Sequence, residues 1–90
     1  MSNPVERAAI EQIVRDYVLS KFLVDEGPEA LTESTPLITG GVLNSIRTLQ
    51  LVQFLEKQYG IRFQAHELSA DYLDTVGDIV DRIQEKLAPG

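Results

Sequence analysis

The run Gly40-Gly41-Val42-Leu43-Asn44-Ser45-Ile46 sets a serine at the point where a turn becomes a helix. Gly40 and Gly41 supply a sterically open approach. Asn44 and Ser45 are both good helix N-cap residues, and Ile46 to Tyr59 is helical in pattern. A hydroxyl in this place lies beside the positive end of a helix. Free backbone N–H groups and the helix dipole favour an anion there, a phosphate group above all. The ordinary work of a serine at such a point is to cap the helix, and these residues alone take the argument no further.

Other chemistry is thinly represented. A serine nucleophile needs a positioned base. The one histidine, His66, stands about twenty residues on in a loop, and no triad is outlined, so a hydrolase built on Ser45 and His66 is disfavoured. Asp71, Asp74, Asp78 and Asp81 are close in sequence, but they fit the polar side and first turns of a helix. The calcium-loop pattern and the phosphate-binding glycine fingerprints are absent. With no cysteine there is no thiolate metal site, no disulfide and no cysteine nucleophile. The expectation is a protein without catalytic residues and without a metal.

The elements that position Ser45 follow from periodicity. Asn3 and Pro4 read as an N-cap and a first-turn proline, opening a helix from about Pro4 to Leu23. Val5, Ala9, Ile13 or Val14, Tyr17 and Phe22 recur on it at helical spacing. A long connection over 24–44 carries apolar anchors at Leu31, Leu37, Ile38, Val42 and Leu43, so it is expected to pack over the helices, with a helical turn near Glu29–Thr32. The second helix spans about Ser45 to Tyr59, with Thr48, Leu49, Leu51, Val52, Leu55 and Tyr59 on one arc. Phe54 lies off that arc, either against a neighbouring element or exposed. Gly60 is a stop, and Ile61-Arg62-Phe63 reads as extended loop. A short helix follows near Ser69–Leu73. A last helix starts at Thr75, with Asp78 completing a capping box and Val76, Ile79, Val80, Ile83 and Leu87 as its stripe. The fold class is all-α: a small four-helix bundle, three helices longer and one short, in one domain over residues 1–90.

Composition bounds the function. The 90 residues are 43% apolar and carry a net charge of −6, which argues against a nucleic-acid backbone as partner. Residues 1–30 and 61–90 each hold six acids and three bases, whereas 31–60 is neutral, with Glu33, Glu56, Arg47 and Lys57. The polar N-terminus has no signal core, and no apolar run nears the roughly 20 residues that span a bilayer. A soluble, cytoplasmic protein is expected.

Taken together, these parts resemble the acyl carrier and peptidyl carrier protein family over nearly the whole chain. The matching features are the long first helix, Thr35-Pro36-Leu37 in the long loop, and Gly41-Val42-Leu43-Asn44-Ser45-Ile46. Phe54-Leu55-Glu56-Lys57-Gln58-Tyr59-Gly60-Ile61 and Leu73-Asp74-Thr75-Val76-Gly77-Asp78-Ile79 follow in order. The resemblance implies that Ser45 is the attachment point for 4′-phosphopantetheine, supplied from coenzyme A by a phosphopantetheinyl transferase, with Asn44 as the adjacent motif position. The working thiol would then belong to the prosthetic group, and the transferase would activate the serine. Further partners implied are an acyl- or aminoacyl-activating ligase, a synthase or an acyltransferase, served by a monomer with neither nucleic acid nor membrane as partner.

Two departures from the family pattern stand out. Asn44 replaces the usual aspartate; it keeps the cap but loses a charge and a metal-ion contact during transfer. On the second helix, Arg47 and Gln50 stand where fatty-acid carriers resemble one another in acidic residues, and Lys57 adds another positive charge, so attraction to a basic partner is weak on this face. Ile46, Arg47, Gln50, Gln53 and Lys57 are the candidate partner-facing residues. The expected function is a specialised, stand-alone acyl carrier of lipid or secondary-metabolite synthesis. The alternatives are an aminoacyl or peptidyl carrier, or a carrier-like interaction module without the arm.

Overall fold

The computed structural model describes residues 6–87, and its helices enclose one continuous apolar core. Helix α1 spans Arg7–Phe22, α2 Ser45–Tyr59, α3 Ala70–Leu73 and α4 Val76–Leu87; short 3₁₀ turns occupy Pro28–Ala30 and Ala65–Glu67. Among the described residues there is no strand, and the architecture is a small all-helical bundle of three longer helices and one short one. No helix among them is long and apolar enough to cross a membrane.

Helix α1 rests mainly on α4 and more lightly on α2. Its buried row is Ile10, Val14 and Val18, four residues apart. Of the residues expected at helical spacing, only Val14 is in this row. Ala9 is exposed, lying about 100° round the helix from Ile10. Ile13, Tyr17 and Phe22 are half-buried on the flanks. Apolar residues occupy adjacent rows of α1, and the row that faces α4, its main neighbour, is the one buried. The expected start of the helix at Asn3-Pro4, and Val5 with it, lies outside the described residues.

The long connection is packed, as its anchors require. Leu31, Leu37 and Leu43 are buried, and Ile38 and Val42 are half-buried against the core. A buried loop must satisfy its backbone, and side chains from distant helices do so. The Arg15 guanidinium donates to the Leu31 carbonyl at 2.7 Å. The Leu43 N–H returns to the Leu37 carbonyl at 2.8 Å. Asp74, in the link between α3 and α4, accepts from the N–H groups of Ile38 (2.9 Å) and Thr39 (2.8 Å) and from the Thr39 hydroxyl (2.8 Å). The N–H of Leu37 bonds the Asp74 carbonyl. The Thr39 N–H, together with the hydroxyl of Thr39 and the N–H of Ile38, holds the Asp74 carboxyl below its ordinary range against the opposing effect of burial.

Helix α2 buries Thr48, Leu51, Val52 and Leu55. Leu49, expected in that arc, is 47% exposed. It stands about 100° from Thr48, at the edge of the arc, and the core is already filled by its neighbours. The side of α2 that carries Phe54 meets α1, where Phe54 stacks on Tyr17 with centroids 4.3 Å apart and planes 18° from parallel. Helix α4 buries Val76, Ile79, Val80 and Ile83, while Leu87 is half-buried. Its first turn is closed by the Asp78 N–H donating to Thr75 Oγ1 at 3.0 Å, the forward half of the expected box.

One buried charge has no counterpart in the sequence reading. Glu67 is 3% exposed. It accepts from the Gln64 N–H (2.7 Å), from Lys86 (2.8 Å) and from Arg82 (3.2 Å). Burial pushes this carboxyl up, but the Gln64 N–H and the two cations outweigh it and hold the group at about 2. The triad fastens the 3₁₀ turn to α4.

Candidate functional site

The start of α2 divides the labour between two residues that both could cap it. Asn44 is the cap: its backbone is extended (φ −92°, ψ −175°) and its Oδ1 accepts the Arg47 N–H at 2.8 Å. Ser45 is therefore the first helical residue. Its side chain is exposed, and among the described residues its hydroxyl makes no hydrogen bond. The N–H groups of Ser45 and Ile46 have no acceptor inside the helix, as the first turn of any helix requires. The hydroxyl thus stands free next to unpaired donors and the positive end of a fifteen-residue helix.

The approach to Ser45 is shaped by the two glycines and by Asp74. A Cβ on Gly40 would run into the carbonyl oxygen of Pro36, and Gly41 holds φ +84°, a conformation that L side chains rarely adopt. The turn they form lies directly after the segment pinned by Asp74. The serine is thus presented by a fixed loop.

Beside Ser45 opens a cleft of about 280 Å³, lined by Ile38, Ser45, Thr48, Leu49 and Leu68. The exposed Leu49 is one wall of it, and Ile46, 69% exposed, stands on the same turn. Apolar side chains next to a free hydroxyl suit a ligand attached at one end by a polar group and buried at the other. The sequence reading missed Leu49 and Leu68 as walls because it assigned Leu49 to the core. The sign available was Leu49's place at the edge of the apolar arc.

The five candidate partner-facing residues are not equivalent. Ile46, Gln50, Gln53 and Lys57 are exposed on α2. Arg47 is half-buried and committed inward: its Nη1 donates to the Val42 carbonyl at 3.1 Å and its guanidinium lies 5.3 Å from the centre of the Phe22 ring. It ties the start of α2 to the end of α1.

The remaining polar candidates serve structure. His66 is exposed, sets its ring edge against Tyr72 at 5.7 Å and makes no hydrogen bond with Ser45. Among the described residues no group of three or more His, Cys, Asp or Glu could hold a metal ion. Asp74 pins the loop, and Asp81 accepts from Arg7 at 2.6 Å, an exposed pair. The second half of α2 borders a larger groove, of about 1140 Å³, with the stacked Tyr17 and Phe54 in its wall.

No protein-family model matches the chain. It is similar to a protein named acyl carrier protein from Phenylobacterium zucineum (strain HLK1), 31% identical over 87 residues. The match covers 97% of this chain and 98% of that relative. Similarity at that level over the full length of both, with an all-helical bundle presenting a free serine at the start of its second long helix, identifies the kinship: the chain belongs to the acyl carrier protein family.

Proposed function

We propose that Ser45 is the acceptor for 4′-phosphopantetheine and that the protein is a specialised carrier of acyl groups. The observation that carries this reading is the separation of roles at the helix start. Asn44 caps α2, and the Ser45 hydroxyl is left unbonded and exposed. A phosphodiester there would meet the N–H groups of Ser45 and Ile46 and the helix dipole. The residues present fit the group: its anion has donors, and the cleft of Ile38, Leu49 and Leu68 offers an apolar surface to an attached hydrocarbon. Once attached, the arm supplies the thiol that the cysteine-free chain lacks. An acyl cargo is favoured over an aminoacyl one because Ile38, Leu49 and Leu68 make most of the cleft wall and no charged side chain lines it.

The proposed partners are a phosphopantetheinyl transferase and the enzymes that load and unload the arm, met by a monomer through Ile46, Gln50, Gln53 and Lys57. Asn44 removes one negative charge from the family pattern at the transferase contact, so this chain would select among transferases. Incubation with coenzyme A and a broad-specificity phosphopantetheinyl transferase tests the reading by intact mass. One added phosphopantetheine group is expected on the native chain and none on Ser45→Ala. An unmodified native chain would leave an interaction module as the better reading. An amino acid on the thiol, in protein taken from its host, would replace the acyl reading by the aminoacyl one.

A further inference from the structure

The chain has eight cationic side chains, and five of them are spoken for inside the fold. Arg7 bonds Glu33, Asp81 and Gln84; Arg82 and Lys86 hold Glu67; Arg15 holds the Leu31 carbonyl; Arg47 holds the Val42 carbonyl and Phe22. The remaining three, Lys21, Lys57 and Arg62, are exposed and have no ion-pair or hydrogen-bond partner among the described residues. All three line the same groove, the one of about 1140 Å³ between the end of α1 and the second half of α2.

The groove walls are suited to more than charge. The stacked Tyr17 and Phe54 form one side, with Phe22 set edge-on to Tyr17 at 5.8 Å. The single carboxylate in the lining, Glu56, is half-buried and turned to its own chain, accepting the Phe63 N–H at 2.9 Å. In a protein of net charge −6, three unpaired cations and three aromatic rings line one concavity. On α2, Gln50, Gln53, Phe54 and Lys57 lie about 80° to 180° round the helix from Ser45, and every lining residue is at least about 7 Å further along the axis, so an occupant would leave the serine accessible.

We infer that this groove docks an acidic segment of a partner protein, one that carries carboxylates beside an aromatic or large apolar side chain. Charge complementarity selects the carboxylates, and the aromatic wall selects the anchor. An anionic lipid surface suits it less well. Three cations give only a weak attraction to an anionic membrane, and across so wide a surface the acidic remainder of the molecule opposes it. The inference stands whether or not Ser45 is modified.

A titration of the ¹⁵N-labelled full chain tests it by NMR. The probe is a synthetic peptide of repeated glutamate pairs and phenylalanines; its controls are the same peptide with lysine for glutamate and vesicles of mixed phosphatidylglycerol and phosphatidylcholine. The acidic peptide is expected to shift the amides of Tyr17, Lys21, Gln53, Phe54 and Lys57. Raising the ionic strength from about 0.01 M to about 0.15 M, which shortens the Debye length from about 30 to about 8 Å, should weaken that binding. The double variant Lys57→Gln, Arg62→Gln should weaken it about tenfold with an unchanged amide spectrum elsewhere. Equal binding of the lysine peptide, shifts centred on the Ser45 cleft, or no shifts would overturn the inference. Binding to the vesicles in preference to the peptide would overturn it in favour of a lipid surface. Shifts of the groove amides on concentrating the protein alone would overturn it in favour of a second copy.

Discussion

The two ends of α2 are built in opposite ways. At its start, the backbone does most of the work: a capped helix, two glycines and a loop held by a distant carboxylate fix one hydroxyl next to a small apolar cleft. Toward its end, the backbone is an ordinary helix, and side chains make a wide groove whose cations have no partner among the described residues. The first end suits a covalent attachment, which demands a defined position. The second suits a contact that must form and release. Substitutions should therefore cost stability at the first end and leave it nearly unchanged at the second.

That contrast is broken or sharpened by a graded series. Leu37→Ala is expected to have the largest effect, about 3 kcal/mol lost in chemical denaturation, because Leu37 is fully buried and anchors the segment leading to Ser45. Asp74→Ala should come next, at about 2 kcal/mol, since it orphans the Ile38 and Thr39 N–H groups together. It should also loosen the Gly40–Leu43 turn, read as faster amide exchange there. A loss no greater than that of an ordinary surface change would show that the loop does not depend on this pin.

Acid should unfasten the molecule next. Glu67 is held at about 2, and Asp74 is also held below its ordinary range. A group depressed on folding stabilises above its unfolded value and loses that contribution as pH falls through its folded one. The stability should accordingly be level from neutral pH to about 5 and then fall by roughly 2 kcal/mol toward pH 2. Glu67→Gln should flatten that fall. A profile unaltered by this variant would mean that Glu67 does not supply the acid sensitivity.

Asn44→Ala should cost about 1 kcal/mol, the ordinary value of a lost cap, measured by thermal denaturation. Asn44→Asp should hold or slightly raise stability, because a carboxylate favours the helix start. The smallest effects belong to the groove: Lys57→Gln and Arg62→Gln should each stay within about 0.5 kcal/mol of the parent. A larger loss at either would mean that the residue has a partner in the fold, and the groove would lose one of its free charges.

How far the sequence reached depended on how local each cause was. The stripes of α2 and α4, the five anchors of the long loop and the extended 61–63 segment were legible because spacing alone decides them. Helix α1 was harder, because apolar residues occupy adjacent rows and only the facing α4 chooses between them. Leu49 sits at the edge of an arc, where a rotation of a fraction of a turn moves a side chain from core to surface. Phe54 is ambiguous in the sequence because its partner, Tyr17, is 37 residues earlier in the chain. Glu67 and Asp74 were invisible as fasteners for the same reason: the cations of Glu67 come from α4, and the donors of Asp74 lie 35 and 36 residues back. At the site itself, the sequence offered Asn44 and Ser45 as equal caps. The backbone at Asn44, extended where Ser45 is already helical, assigned the cap to one and freed the other.

The central claim is that this freed hydroxyl, and no other in the chain, accepts the phosphopantetheine group. The most direct measurement is fragment mass spectrometry of the transferase-treated protein after trypsin, which cuts at Lys21 and Arg47 and releases residues 22–47 with both Ser34 and Ser45. The account predicts one group on that fragment, placed by its fragment ions on Ser45. The group on Ser34, on any other fragment, or nowhere in the chain would contradict it.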